Sequence, residues 1–290
     1  MGFGDETIEN TNEATSISRF RDHYYADPRT VELVYLDLSE DDDDNVNPKH
    51  LLLSFYYLKR YPTKHGLAAF LDETEKTGLK WAHIYVRKIQ KLKEKKIKWL
   101  FDDDNIANHP ENFILSVDGI HCQIFEPRIT PSTGWFSSKY NKAGLVYEIG
   151  IAIYHNQVVW IAGPYPAGHN DIMIFKRPNG LAAKVPPGKK VVADEGYQGS
   201  DVVALRNQFD IAEVKEFKQR VKARHETFNS RLKAFDIISQ AFRTTYLQVT
   251  PCQNRNRHPL LVGLQNTCLV FNKFRMLTEI YSMYVVIDLL

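Results

Sequence analysis

At 290 residues, with 43% hydrophobic and 25% charged positions, the chain has the composition of a soluble globular protein and the length for one sizeable domain plus a smaller appendage. A formal net charge of +2 does not by itself mark a nucleic-acid binder; the segregation of acidic and basic residues into blocks carries more information. Three widely spaced cysteines (Cys122, Cys252, Cys268) without a CxxC pair exclude a cysteine-ligated zinc site and point to a reducing compartment, and no apolar run approaches the length of a membrane span.

The first residues, MGFGDETIENTNEATS, are acidic and polar, unlike a secretory signal, and Glu6 stands where a myristoylation motif needs Ser or Thr. A soluble, intracellular protein is expected, with residues 1–18 too polar to fold alone. Residues 19–38 carry apolar and aromatic positions that should pack on the segment after them. The run SEDDDDN then breaks the pattern as a solvated linker.

Residues 48–100 read as helical. Pro48 suits a first helical turn before LLLSFYYLKR, Pro62 breaks the chain, and Thr63 can cap a short second helix. A third helix is predicted from about Leu79, with Leu79, Ala82, Val86, Ile89 and Leu92 at spacings of three or four. This order resembles a helix-turn-helix, whose last helix would enter a DNA major groove; a plain helical bundle with a solvated basic face fits the same pattern. Between Arg87 and Lys98 stand seven cations, enough to neutralise several phosphates and make binding salt-dependent. FDDDNIANHP marks a boundary, giving a helical region over 19–108 and a second domain over 109–290.

From Asn112 onward the pattern changes to strands. NFILSVDG, HCQIFEP, AGLVYEIGIAIYH and QVVWIAGPYP are four β-rich runs separated by turn residues, which suggests antiparallel pairing. HNDIMIFKR reads as a helix start, KKVVADEG as a short buried strand, and SDVVALRNQ and Glu216 to Phe235 as helices. Residues 260–285 form a further apolar helix able to cover the sheet. The predicted class is α/β, a mixed sheet with flanking helices of RNase H-like topology, preceded by the small helical segment.

Three carboxylates stand out. Asp118 ends an apolar run before Gly119, which reads either as a two-residue hairpin turn or as a strand end that holds a ligand rigidly beside a glycine. Asp194 follows VVA, again a turn or a carboxylate at the end of a buried strand, where open α/β sheets place their chemistry. Glu226 lies in a helix among Lys218, Arg220, Lys222, Arg224, Arg231 and Lys233, as part of a salt-bridge network or as a metal ligand flanked by phosphate clamps. Two Asp and one Glu would make an oxygen-donor site for Mg²⁺ or Mn²⁺. Asp171 is expected to cap the helix IMIFKR, while His169, Asp171, His121, His225 and Asn229 are candidates to orient a ligand or touch substrate.

These blocks, VDGIHCQI, GHNDIMIF, VVADEGYQG and RHETFNSRLKAF, together resemble those of DDE-superfamily endonucleases over about Asn112 to Arg243, most nearly the PIF/Harbinger-type transposases and their insertion-sequence relatives. The resemblance implies an RNase H-like fold with Asp118, Asp194 and Glu226 as the catalytic triad, two Mg²⁺ or Mn²⁺ ions, and cleavage and strand transfer on double-stranded DNA at transposon ends. It further implies backbone contacts from the basic residues around Glu226, a homodimer or larger assembly, a separate DNA-binding partner in some members, and a nuclear location in a eukaryote or a cytoplasmic one otherwise. Ile120 departs from the small polar residue after Asp-Gly, and Asn170 separates His169 from Asp171, which leaves Asp171 as the alternative second Asp. The rival expectation is a domesticated factor that binds DNA or protein without cutting; a nuclease acting on RNA is a third.

Overall fold

A computed structural model describes residues 8–41, 46–101, 112–126, 133–155 and 157–241. Its first half is helical: α1 (Glu13–Tyr24), α2 (Pro28–Asp41), α3 (Pro48–Arg60), α4 (Lys64–Leu71), α5 (Glu75–Lys91) and the single turn α6 (Lys93–Lys96). Helix α1 begins inside the stretch expected to be disordered. The Asn12 side chain accepts from the Thr15 N–H to start it, and Tyr24 and Phe20 bury their rings against the neighbouring helices. Pro48 and Thr63 act as anticipated, one in the first turn of α3, the other capping α4 through Gly66 N–H. Leu51, Leu53, Phe55 and Leu58 of α3 are buried, each contributing roughly 1.5–3 kcal/mol through transfer from water. Helix α5 starts four residues earlier than its apolar spacing suggested, because Thr74 caps it through Thr77 N–H.

The second half forms one mixed sheet from β1 (Phe113–Gln123), β2 (Phe136–Ser137), β3 (Lys142–Ala152), β4 (Val158–Pro166), β5 (Lys190–Val192) and β6 (Val203–Ala204). Strands β1, β3 and β4 make an antiparallel meander, β2 adds to the start of β3, and β5 and β6 run parallel to β1 on its other side. Helices α7 (Asp171–Phe175), α8 (Ala212–Lys233) and α9 (Asp236–Ser239) flank it. Among the described residues no helix is long and apolar enough to cross a membrane.

The structure corrects three expectations. The first two β-rich runs are one strand: Asp118-Gly119 makes no hairpin, because both sides of the pair continue in register with β3 from Leu115↔Ala152 to Gln123↔Gly144. Within SDVVALRNQ, Val203 and Ala204 are a strand rather than a helix, since the parallel edge of β5 offers their backbone partners. Asp171 does not cap α7; Asn170 occupies that position, and Asp171 is the first helical residue. The tetra-aspartate linker from Asp42, most of the boundary segment (102–111), two of the three cysteines and the apolar stretch 260–285 lie outside the described residues.

The alternation of β1 and β3 divides the core. Ile120 and Cys122 of β1, with Leu145, Tyr147, Ile149 and Ile151 of β3, face α8, α9 and the helical half in one continuous cluster. Leu115 and Val117 face the opposite way, with Phe175, Val191 and Tyr197. Ser116 and Asp118 belong by parity to the first face.

A carboxylate cluster beside the parallel strands

Asp118 sits mid-strand, opposite Ile149 of β3. On its other side Ser116 pairs in parallel with Val192 of β5, so two residues further along each strand bring Asp118 and Asp194 level. Past Val192 the chain leaves the sheet, and Asp194 caps a short 3₁₀ turn, its Oδ1 accepting from Gly196 N–H at 2.9 Å.

Helix α8 lies over the polar end of this face. His225 Nδ1 meets Ser116 Oγ at 2.9 Å, and Asn229 Nδ2 donates to Asp118 Oδ2 at 2.9 Å. Four helical residues rise about 6 Å and two strand residues about 6.6 Å, so i and i+4 on the helix match i and i+2 on the strand. The second Asp118 oxygen accepts from Gly119 N–H at 2.8 Å. Burial and the Asp194 carboxylate, with a smaller push from Asp171, raise the Asp118 pKa to about 6 against the opposing effects of Gly119 N–H and Lys139. His225 is buried, and burial followed by the Arg224 charge lowers its pKa to about 3, so its ring is neutral.

Asp171 reaches the cluster from the opposite side of β1. A Cβ on Gly119 would stand 2.8 Å from Asp171 Oδ1, and one on Gly196 would stand 2.7 Å from Oδ2. The carboxylate therefore fits between two glycines, which is the close approach that glycine permits. Burial and Asp194 raise its pKa, with Lys139 opposing. Beneath it, fully buried Tyr197 packs edge-on against Phe175 and locks the turn that carries Asp194 onto α7.

Glu226 lines the same cleft of about 640 Å³ as Asp118 and Asp194, but from its rim. Its side chain is 63% exposed and lies 3.7 Å from Lys222 one turn earlier. As placed, no three His, Cys, Asp or Glu among the described residues are grouped to hold a metal ion. The expected cations divide into two kinds. Lys218 is buried, donating to Leu205 O and the Asp210 carboxylate, and Arg224 donates to the carbonyls of Ile153 and Ala152. Lys222 and Lys233 line the cleft, while Arg220 and Arg231 are exposed on the same helix.

Four residues of this region escaped sequence reasoning. Exposed Lys139 and Tyr140 overhang the cleft, and against the effect of burial Tyr140, then Asp194, Asp171 and Asp118, raise the Lys139 pKa. Glu148, fully buried on β3, accepts from Trp160 Nε1 at 2.9 Å, and burial pushes its pKa up to about 7. Its one signal was a lone carboxylate inside an apolar strand. Ser116 gave no signal at all.

With this geometry in place, residues 117–257 match the family model of the DDE superfamily endonucleases. The matched segment opens one residue before Asp118 and contains Asp171, Asp194 and Glu226. Its similarity is to a class of nucleic-acid-cutting and transposition enzymes. No curated protein and no solved structure matches the chain.

Proposed function

We propose that the chain is a divalent-metal-dependent DNA endonuclease of the transposase type, with Asp118, Asp194 and Glu226 as its metal-holding carboxylates. The observation that carries this is the approach of Asp118, on β1, and Asp194, just past the end of the adjacent parallel strand β5, under a helix that binds Asp118 through Asn229 and bears Glu226. A meander of three antiparallel strands followed by two strands parallel to the first supports the RNase H-like assignment. The four motif blocks support the PIF/Harbinger subtype, and with it a nuclear location in a eukaryote, assembly as a dimer and an accessory DNA-binding protein.

The donor set fits Mg²⁺ or Mn²⁺. Hard cations prefer carboxylate oxygens, and clustered carboxylates whose pKa values are raised by burial and then by one another lack positive charge that such an ion would provide. When bound, the metal supplies Lewis-acid stabilisation of phosphate charge and acidifies water. The chain's own residues do the rest. Asn229 and Gly119 N–H fix both Asp118 oxygens, so the carboxylate is oriented before substrate arrives. Glu226 joins the set by exchanging its exposed pairing with Lys222, a side-chain rotation of low cost. Lys222, freed by that exchange, and Lys139 and Lys233 hold backbone phosphates, which gives position without sequence information.

The helical half supports a helix-turn-helix role. Helices α4 and α5 are joined by three residues, Asp72 in the left-handed region at φ 52°, and Gly78 lets the two pack so closely that a Cβ there would meet Leu71 at 2.9 Å. Lys76, Lys80, Arg87 and Lys91 are exposed along α5 at spacings of four, seven and four, one face of a helix.

The test is nicking of supercoiled DNA in Mg²⁺ or Mn²⁺ by the wild type and by Asp118→Ala. Loss of nicking in the variant is expected, and nicking at the wild-type rate would overturn the assignment. DNA binding equally tight in EDTA, with no product under any metal, would favour the non-cutting factor that the present outward position of Glu226 also allows. Cleavage of RNA duplexes in preference to DNA would favour the third alternative.

A further inference from the structure

On the far side of β1 from Asp118 lies a second, smaller cleft of about 350 Å³, lined by Gly119, Phe136, Tyr140, His169, Asn170 and Asp171 among others. The two clefts share Gly119, Lys139 and Tyr140 as a common rim. We propose that the smaller cleft receives one unstacked nucleobase of a DNA strand whose neighbouring phosphate lies at Asp118, with Tyr140 as the stacking platform. The proposal rests on the nuclease reading above and adds to it a subsite for a base.

The walls have the chemistry for a flat, weakly polar ring on a charged backbone. Phe136 is 41% and Tyr140 38% exposed, large apolar rings at the mouth of the cleft. Tyr140 is held from behind by the His121 ring, stacked at 4.5 Å and 28°. His121 in turn lies flat on Gly144, where a Cβ would fall 2.0 Å from Nε2; only glycine there lets the imidazole occupy that space. Burial, then Lys233 and Lys142, lower the His121 pKa to about 4, so the stack behind Tyr140 is neutral. Lys139 and Lys233 stand 5.6 and 6.0 Å from the Tyr140 ring centre, placing cations where the flanking phosphates of a stacked base would run.

The floor is rigid and polar. Gly168 N–H donates to Gly134 O at 2.9 Å, and a Cβ on Gly168 would stand 2.6 Å from that oxygen, so the two loops are pressed together. Asn170 makes no capping bond with its side chain, leaving its amide for a base edge, and His169 stands beside it. Bases inside a duplex are covered on both faces, so only a base that has left the stack can enter; aromatic contacts then offset the cost of unstacking.

The experiment uses the full chain and a labelled duplex with a 3′ overhang of four thymidines, followed by fluorescence anisotropy in Ca²⁺. A companion set lacks the base at one overhang position at a time, keeping every phosphate. Removal of one particular base should weaken binding by about tenfold, while the other positions change little. Tyr140→Ala should weaken the intact overhang by a similar factor and abolish the dependence on that base; Tyr140→Phe should restore both, and Phe136→Ala should act like Tyr140→Ala. If the duplex binds and is nicked in Mn²⁺ but no base deletion matters, or if the dependence survives Tyr140→Ala and Phe136→Ala, the base subsite is overturned and the nuclease reading stands. If no duplex binds or is cut, both fall together.

Discussion

Asp118 is legible in the sequence as a carboxylate at the end of an apolar run beside glycine, and Asp194 as a carboxylate that follows the apolar run VVA. What surrounds them is not. Asp171 looks like a helix cap because local spacing alone describes it, yet its side chain is claimed by the space over Gly119 and Gly196, two residues remote in sequence. Glu226 is legible only through its motif, since an exposed helical Glu needs no special reason. Its role is open to experiment. Glu226→Gln should lower nicking by roughly 100-fold, the scale of losing one charge-stabilising group, and shift stability by less than about 0.5 kcal/mol because the side chain is exposed. Should Asp194→Asn cut normally while Asp171→Asn is inactive, Asp171 takes the place of the second Asp instead. The raised pKa of Asp118 makes a second prediction. Its charged form predominates above about pH 6 and is lost as pH falls through that value. Mn²⁺ should therefore raise the melting temperature at pH 7.5 and leave it unchanged at pH 5, with no shift at either pH in Asp118→Asn, as read by thermal unfolding with and without EDTA.

At the scale of elements, periodicity found α3 and its capped neighbours, while pairing decided what periodicity could not. The Asp-Gly pair reads as a turn when β1 is taken alone and as mid-strand once β3 supplies nine successive partners. In the same way β6 exists because β5 has an open edge, a fact no window of nine residues contains. The basic segment after Arg87 was legible as charge but not as free charge. Lys95 pairs with Asp37 and Glu40, and Lys96 with Asp37, so part of the cluster holds α6 against α2. The stripe on α5 proposed to meet phosphate is exposed and separate from these pairs. Replacing Lys80 and Arg87 together with alanine should weaken DNA binding across unrelated sequences, and should reduce the slope of log K against log salt by about two. Lys96→Ala should leave that slope unchanged. Titrations between low and moderate salt decide it, and equal slopes for wild type and the double variant would remove α5 from the DNA interface.

For the whole molecule, the sequence suggested a DNA-binding segment and a catalytic domain joined at a polar boundary, and composition changes sharply there. Packing does not follow composition. One apolar cluster runs from Tyr24, Leu51 and Leu58 of the helical half through Ile120, Cys122 and Tyr147 of the sheet to Leu232 and Phe235. Tyr25 meets Phe235 edge-on at 4.6 Å, and Lys59 Nζ donates to Ala234 O at 3.0 Å, tying α3 to the chain just after the helix that carries Glu226. The face of β1 and β3 that bears Asp118 at one end is thus covered by the helical half at the other. Removing that half would expose Ile120, Cys122 and Leu145, each now 1% exposed or less, at a cost of roughly 1.5–3 kcal/mol for each large apolar side chain. That total is comparable with the whole stability of a domain, about 5–15 kcal/mol. A chain comprising residues 112–290 alone should therefore fail to give a cooperative melt or nick DNA, and adding residues 8–101 as a separate chain should recover both. A soluble 112–290 fragment with a sharp transition and wild-type nicking would show instead that the sheet stands by itself, and that the shared cluster serves to orient the helical half against the sheet rather than to hold the cleft together.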